Sequence, residues 1–165
     1  MTSNSDPQVP GPLLGRSAVQ AAWRAALLAV DSTQRQVTLV DRDFAHWPLG
    51  EPAVLDHLGQ WLRLPGRQLR LLALDFASTE RALPRLARWR RDVVHALQCA
   101  TPVDDAGLAW PSVLMTGTTA VQLLDPLHWR ARLHHGAAEM QALAHEIDAL
   151  AQRCEPAWPV THLGL

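Results

Sequence analysis

No lysine occurs in this 165-residue chain, and all fifteen of its positive charges are arginines. Set against sixteen acidic residues they leave a formal net charge of -1, so the chain lacks the broad positive field that draws proteins to nucleic acid. The arginine bias reads first as a G+C-rich coding preference and only second as a need for planar, bidentate donors. Cysteine is nearly absent too. Cys99 and Cys154 stand far apart in sequence, which excludes a disulfide framework and a zinc ribbon. There is no membrane-length apolar run: Ala18 to Val30 contains Arg24 and falls short of the roughly 18 residues a span needs. The start, "MTSNSDPQVPGP", has neither a basic n-region nor an apolar h-region, so a signal peptide is not expected. A cytoplasmic protein with no membrane partner is the resulting expectation.

Standard catalytic signatures are missing as well. The chain carries no P-loop, no Rossmann glycine triplet and no G-x-S-x-G. Among eight histidines, His134, His135 and His145 lie near Glu139 and Glu146, but "HEIDA" at His145 lacks the second histidine four residues on that a zincin helix requires. Neither metal nor cofactor is expected.

What is present is an ordinary folding composition, 48% hydrophobic and 19% charged, in a chain of one-domain length. Residues 1–16 read as a disordered lead-in and 17–165 as a single domain. Ser17 can cap a helix over about 18–31, with Val19, Trp23, Ala26 and Val30 on one stripe. "RQVTLVD" (35–41) and "QLRLLALD" (68–75) are nearly continuous apolar runs that suit strands covered on both faces. Between them a crossover helix starts at Pro52 and stops at "PGR", completing a βαβ unit. Leu83, Leu86, Trp89 and Val93 predict a further helix, with Arg81, Arg85 and Arg88 on another face, followed by a short strand in "VHALQC". "SVLM" and "AVQLL" flank "TGTT" as a hairpin, "DPLHWRARLHHG" reads as a loop, and 137–153 as a closing helix before an extended tail. Met140, Leu143, Ile147, Leu150 and Cys154 form a stripe too short for a coiled coil and suited to core packing. The fold class is α/β, with a mixed, mostly parallel sheet flanked by helices.

The order of elements resembles one half of a phospholipase D-like fold. "RDFAHWPLGEPAVLDHL", with Asp43, Pro52 and Val54, resembles the first strand end and helix of an uncharacterised bacterial domain of that superfamily, sometimes joined to a GNAT acetyltransferase. "LRLLALD", ending in Asp75, is similar to its second strand, and "IDALAQRCEP" to its closing helix. Catalytic relatives carry His-x-Lys and, after four more residues, Asp; the His takes the phosphoryl group and the Lys neutralises phosphate charge. On "WPSVLMTG" those positions hold Trp110, Ser112 and Gly117, none of which can do that chemistry. The resemblance therefore implies a non-catalytic, single-half phospholipase D-like domain, a binding or interaction module with a protein partner, working as a homodimer because relatives pair two halves.

Six residues are singled out for binding. Asp43 and Asp75 follow strands expected to lie side by side, at the edge of an α/β sheet where ligands bind. They could hold a cation in a divergent metal-dependent hydrolase, although strand-end aspartates more commonly cap turns. His95 is expected to point inward. Trp110, beside a proline, is either packed or an anchor for a partner. Arg88 and Arg91, with Arg90 between them, offer a phosphate-ligand or nucleic-acid alternative, on a helix whose tryptophan lies on a different face.

Overall fold

The computed structural model describes residues 11–105 and 107–161. Its centre is an eight-stranded sheet built from β1 (Gly11–Leu14), β2 (Gln36–Asp41), β3 (Gln68–Ala73), β4 (Leu97–Pro102), β5 (Ser112–Met115), β6 (Ala120–Asp125), β7 (Arg130–His134) and β8 (Cys154–Pro156). They lie in the order β1-β7-β6-β5-β2-β3-β4-β8. The helices are α1 (Arg16–Leu28), α2 (Pro52–Leu62), α3 (Phe76–Ala82), α4 (Pro84–Trp89) and α5 (Ala137–Ala151), with a 3-10 turn at Pro48–Gly50.

Alternate residues of the central strands divide two cores. Val37, Leu39, Leu69 and Leu71 pack with Val19, Trp23, Leu55 and Leu58 of α1 and α2. Val40 and Leu72 face the other way and meet Leu143 and Ile147 of α5. Burial on both faces explains why β2 and β3 read as continuous apolar runs instead of alternating ones. The α5 stripe is core, as its spacing predicts: Met140, Leu150 and Cys154 pack around that second cluster.

The expectation of a mostly parallel sheet is overturned. Only β2 with β3 and β3 with β4 are parallel; the other five pairings are antiparallel. Parallel neighbours need long crossovers, which α2 supplies between β2 and β3 and α3 with α4 between β3 and β4, whereas short turns join β5, β6 and β7 as antiparallel neighbours. The fold is thus α/β with a mixed sheet.

Four local expectations also change. Gly11–Leu14, assigned to a disordered lead-in, form β1 on the edge of the sheet, where Pro12 is tolerated because an edge strand can forgo a donor; residues 1–10 lie outside the described residues. Helix α1 starts at Arg16 with Gly15, at φ 93°, in the cap position, so Ser17 is inside the helix. The single helix predicted here, starting near Ser78 to Pro84, is two helices, because Pro84 cannot extend α3 and instead begins α4 at its first position. The segment "DPLHWRARLHHG" contains β7, and its alternation, with Ala131 and Leu133 buried between exposed Arg130 and Arg132, is the period of two that marks a strand. Among the described residues no helix is long and apolar enough to cross a membrane.

Candidate functional site

The parallel pair β2 and β3 runs in register from Gln36 beside Gln68 to Asp41 beside Ala73, so the turns after them emerge at the same edge of the sheet. This much agrees with the expected placement of Asp43 and Asp75. Both carboxylates, however, are spent on local structure. Asp75 is the N-cap of α3: its carboxylate accepts from the Ser78 backbone N–H at 3.0 Å and from the Ser78 hydroxyl at 2.6 Å. Those two bonds hold the Asp75 carboxyl below its ordinary range. Asp43 Oδ1 accepts from the Ala45 N–H at 3.1 Å, while its backbone carbonyl accepts from the Thr79 hydroxyl at 2.8 Å, tying the β2 turn to α3. The turn itself is shaped by Asp41, whose Oδ2 accepts from the backbone N–H groups of Phe44 at 2.9 Å and Asp43 at 3.3 Å. Among the described residues no group of three or more His, Cys, Asp or Glu could hold a metal ion.

Trp110 is also structural at its polar end. Its indole N–H donates to the Asp41 carbonyl at 2.9 Å, and its ring packs with the α5 core, beside a cleft shared with Leu143, Ile147 and Leu150. His95 does not point inward. It sits in the turn between α4 and β4, exposed, because the strand begins at Leu97, three residues later than "VHALQC" implies. Arg88 and Arg91 are exposed on and just after α4. The six singled-out residues therefore do not converge in one cleft.

Two other places gather chemistry. At the strand ends, Trp23 and Trp47 stack at 4.3 Å, and Trp129 meets Trp23 edge-on at 6.0 Å. With Asp41, Asp43 and His46 these rings line a pocket of about 310 Å³. Trp129, in its lining, and Phe44, which meets Trp47 edge-on, are both left-handed without being glycine, at φ 52° and φ 59°. Trp23 and Trp47 are nonetheless almost wholly buried, so they act as core, and Arg16 already occupies the space over Trp129 at 5.6 Å.

The larger cavity, about 510 Å³, lies along the β4–β8 edge and is lined by Arg70, Leu72, Arg90, Leu97, Cys99 and Trp158 among others. Arg90 is 6% exposed and its guanidinium lies 4.3 Å from the Trp158 ring centre. Trp158, at φ 52°, stacks in turn on Phe76 at 5.2 Å. Arg90 was expected beside Arg88 and Arg91 as a phosphate-ligand candidate, not as a buried residue. The signal was its spacing: Arg90 is four residues after Leu86 and three before Val93, hence on the buried stripe, not on the row of Arg81, Arg85 and Arg88. Trp158 carried no such signal, since a lone tryptophan in a proline-flanked tail has no period to place it.

No family model and no curated protein matches the chain. Among solved structures it is similar to TrmBL2, an archaeal chromatin protein whose structure shows a novel mode of DNA binding. The two superpose with a TM-score of 0.67 at 11% identity, over 95% of this chain and 57% of that one. At that identity the likeness is one of fold, and the chain corresponds to little more than half of that neighbour's length.

Proposed function

We propose that the chain is a non-catalytic, single-half phospholipase D-like module that acts by binding and pairs with a second copy of itself. The observation that carries this reading is the use of the strand-end carboxylates. Asp43 and Asp75 are hydrogen-bonded into a turn and a helix cap, and the positions of the superfamily's nucleophile and phosphate-binding lysine hold Trp110 and Ser112. Trp110 is itself committed to the Asp41 carbonyl, so neither of those two positions offers a nucleophile or a phosphate-binding cation. The test is turnover of a generic phosphodiester such as bis(p-nitrophenyl) phosphate by the purified chain, with and without divalent metal. No hydrolysis above buffer is expected. Turnover that vanished in a folded Asp43→Asn or Asp75→Asn variant would replace the binding reading with a divergent hydrolase.

A second reading, nucleic-acid binding, is favoured by two observations. The similar structure of TrmBL2 shows a novel mode of DNA binding, and the side chains of Arg88 and Arg91 are exposed with no hydrogen bond or ion pair among the described residues. The net charge of -1 weighs against it. Fluorescence polarisation with a labelled duplex across a salt series decides. Phosphate contacts predict an affinity that falls steeply and linearly on logarithmic axes as salt rises, and binding that is absent or insensitive to salt eliminates the reading.

A further inference from the structure

We propose that the cavity along the β4–β8 edge binds an amphipathic organic anion, its oxyanion head on Arg90 and Trp158 and its apolar body along Val94, Leu97 and Val160. This deepens the binding reading above and rests on it.

A guanidinium is ionised at every accessible pH, and buried charges in proteins are paired. Arg90 is 6% exposed, yet no carboxylate among the described residues forms an ion pair with it. Its Nη1 donates to the Ala87 carbonyl at 2.9 Å and its Nη2 to the Pro159 carbonyl at 3.2 Å. Its Nε is buried with no acceptor. The adjoining Trp158 indole N–H is likewise buried with no acceptor. Two buried donors without acceptors, one of them carrying a full positive charge, thus border a single cavity. An oxyanion supplies what both lack: acceptor oxygens and a negative charge.

Nothing else in the lining supplies it. Burial pushes the Cys99 thiol up to about 12 despite the pull of Arg90, so it remains a neutral thiol near pH 7. Glu155 lines the same cavity but is exposed and makes no ion pair with either arginine. Arg70 is already committed, donating to Asp148 at 3.0 Å and to the Thr38 hydroxyl at 3.3 Å. The remaining wall is mostly aliphatic, which a bare inorganic ion would leave unused. At about 510 Å³ the space falls within the roughly 300–1,000 Å³ of small-molecule sites.

The experiment is isothermal titration of the full chain with decanoate and with decyl phosphate, beside inorganic phosphate and decyltrimethylammonium. We expect one molecule of decanoate or decyl phosphate per chain, the tighter of the two identifying the head group. Inorganic phosphate should bind at least tenfold more weakly, for want of an apolar body, and the cation should not bind in the cavity. Arg90→Met should weaken the anion at least tenfold. Because removal of Arg90 can disturb folding, Val94→Trp, which adds bulk at an exposed residue of the lining and leaves the arginine in place, should have the same effect in a protein whose circular dichroism is unchanged. The proposal is overturned if the folded wild-type chain binds neither anion saturably, if the cation binds as tightly, or if folded Val94→Trp binds the anion undiminished. Phosphodiester turnover would bring down the parent reading, whereas absent anion binding with absent turnover removes only this site.

Discussion

At the scale of single residues, the same side-chain type carries opposite roles according to where the backbone puts it. Asp75 and Asp43 make local turns, and their replacement is a matter of stability. Asp75→Ala should lower the melting temperature, while Asp75→Asn, an equally good cap, should leave it nearly unchanged, as thermal unfolding by circular dichroism would register. Glu51 shows the electrostatic counterpart. It receives three hydrogen bonds from Arg24 at 2.7 to 3.1 Å, which hold its carboxyl below the ordinary range. Both partners are about two-fifths exposed, so the pair contributes at most about 1 kcal/mol. Asp31, Asp75, Asp125 and Glu139 are lowered in the same direction by their own hydrogen bonds. A depressed carboxyl binds protons less readily in the folded than in the unfolded chain. The stability it adds is therefore complete above the ordinary carboxylate range and is lost as pH falls through it. Denaturant midpoints measured between pH 7 and pH 3 should decline in that window, and the Glu51→Gln variant should decline less.

Elements set which of these residues can meet. Leu71, fully buried in β3, packs against the α1 and α2 layer; Leu71→Ala should cost about 2–5 kcal/mol by urea unfolding, whereas Leu127→Ala on the exposed β6–β7 turn should be nearly silent. The helices and central strands were legible in the residues because their stripes are strongly periodic: Pro52 starting α2, the Leu-rich β3 and the Met140 to Leu150 face of α5 all lie where spacing puts them. The edge strands were not. β1 and β8 are four and three residues long, contain proline, and form only because a neighbouring strand offers unpaired backbone groups, a tertiary cause with no local pattern. Legibility of the site followed the same line. Asp43 and Asp75 could be placed at one edge of the sheet from the βαβ unit alone, but their capping bonds depend on Ala45 and Ser78 in turns whose geometry no period specifies. Arg90 was readable from helical spacing; its cavity was not, because β8 and the tail around Trp158 close it.

For the molecule as a whole, the mixed sheet separates two places that a sequence of this kind tends to merge. The strand ends hold a packed aromatic cluster with capped carboxylates, and the β4–β8 edge holds a buried, unpaired guanidinium beside an open space. A single-half module that pairs with a copy of itself should run in solution at twice its 18.2 kDa mass, and sedimentation equilibrium giving the single-chain mass would count against the pairing. The central claim, that the chain binds at this edge and does no chemistry at the strand ends, is tested most directly by the indole N–H resonances of its seven tryptophans in a ¹H–¹⁵N spectrum titrated with decanoate. The account predicts that the Trp158 resonance moves downfield to saturation as it gains an acceptor, while those of Trp23 and Trp47 hold still. Movement confined to Trp23, Trp47 and Trp129, with Trp158 unchanged, would contradict it.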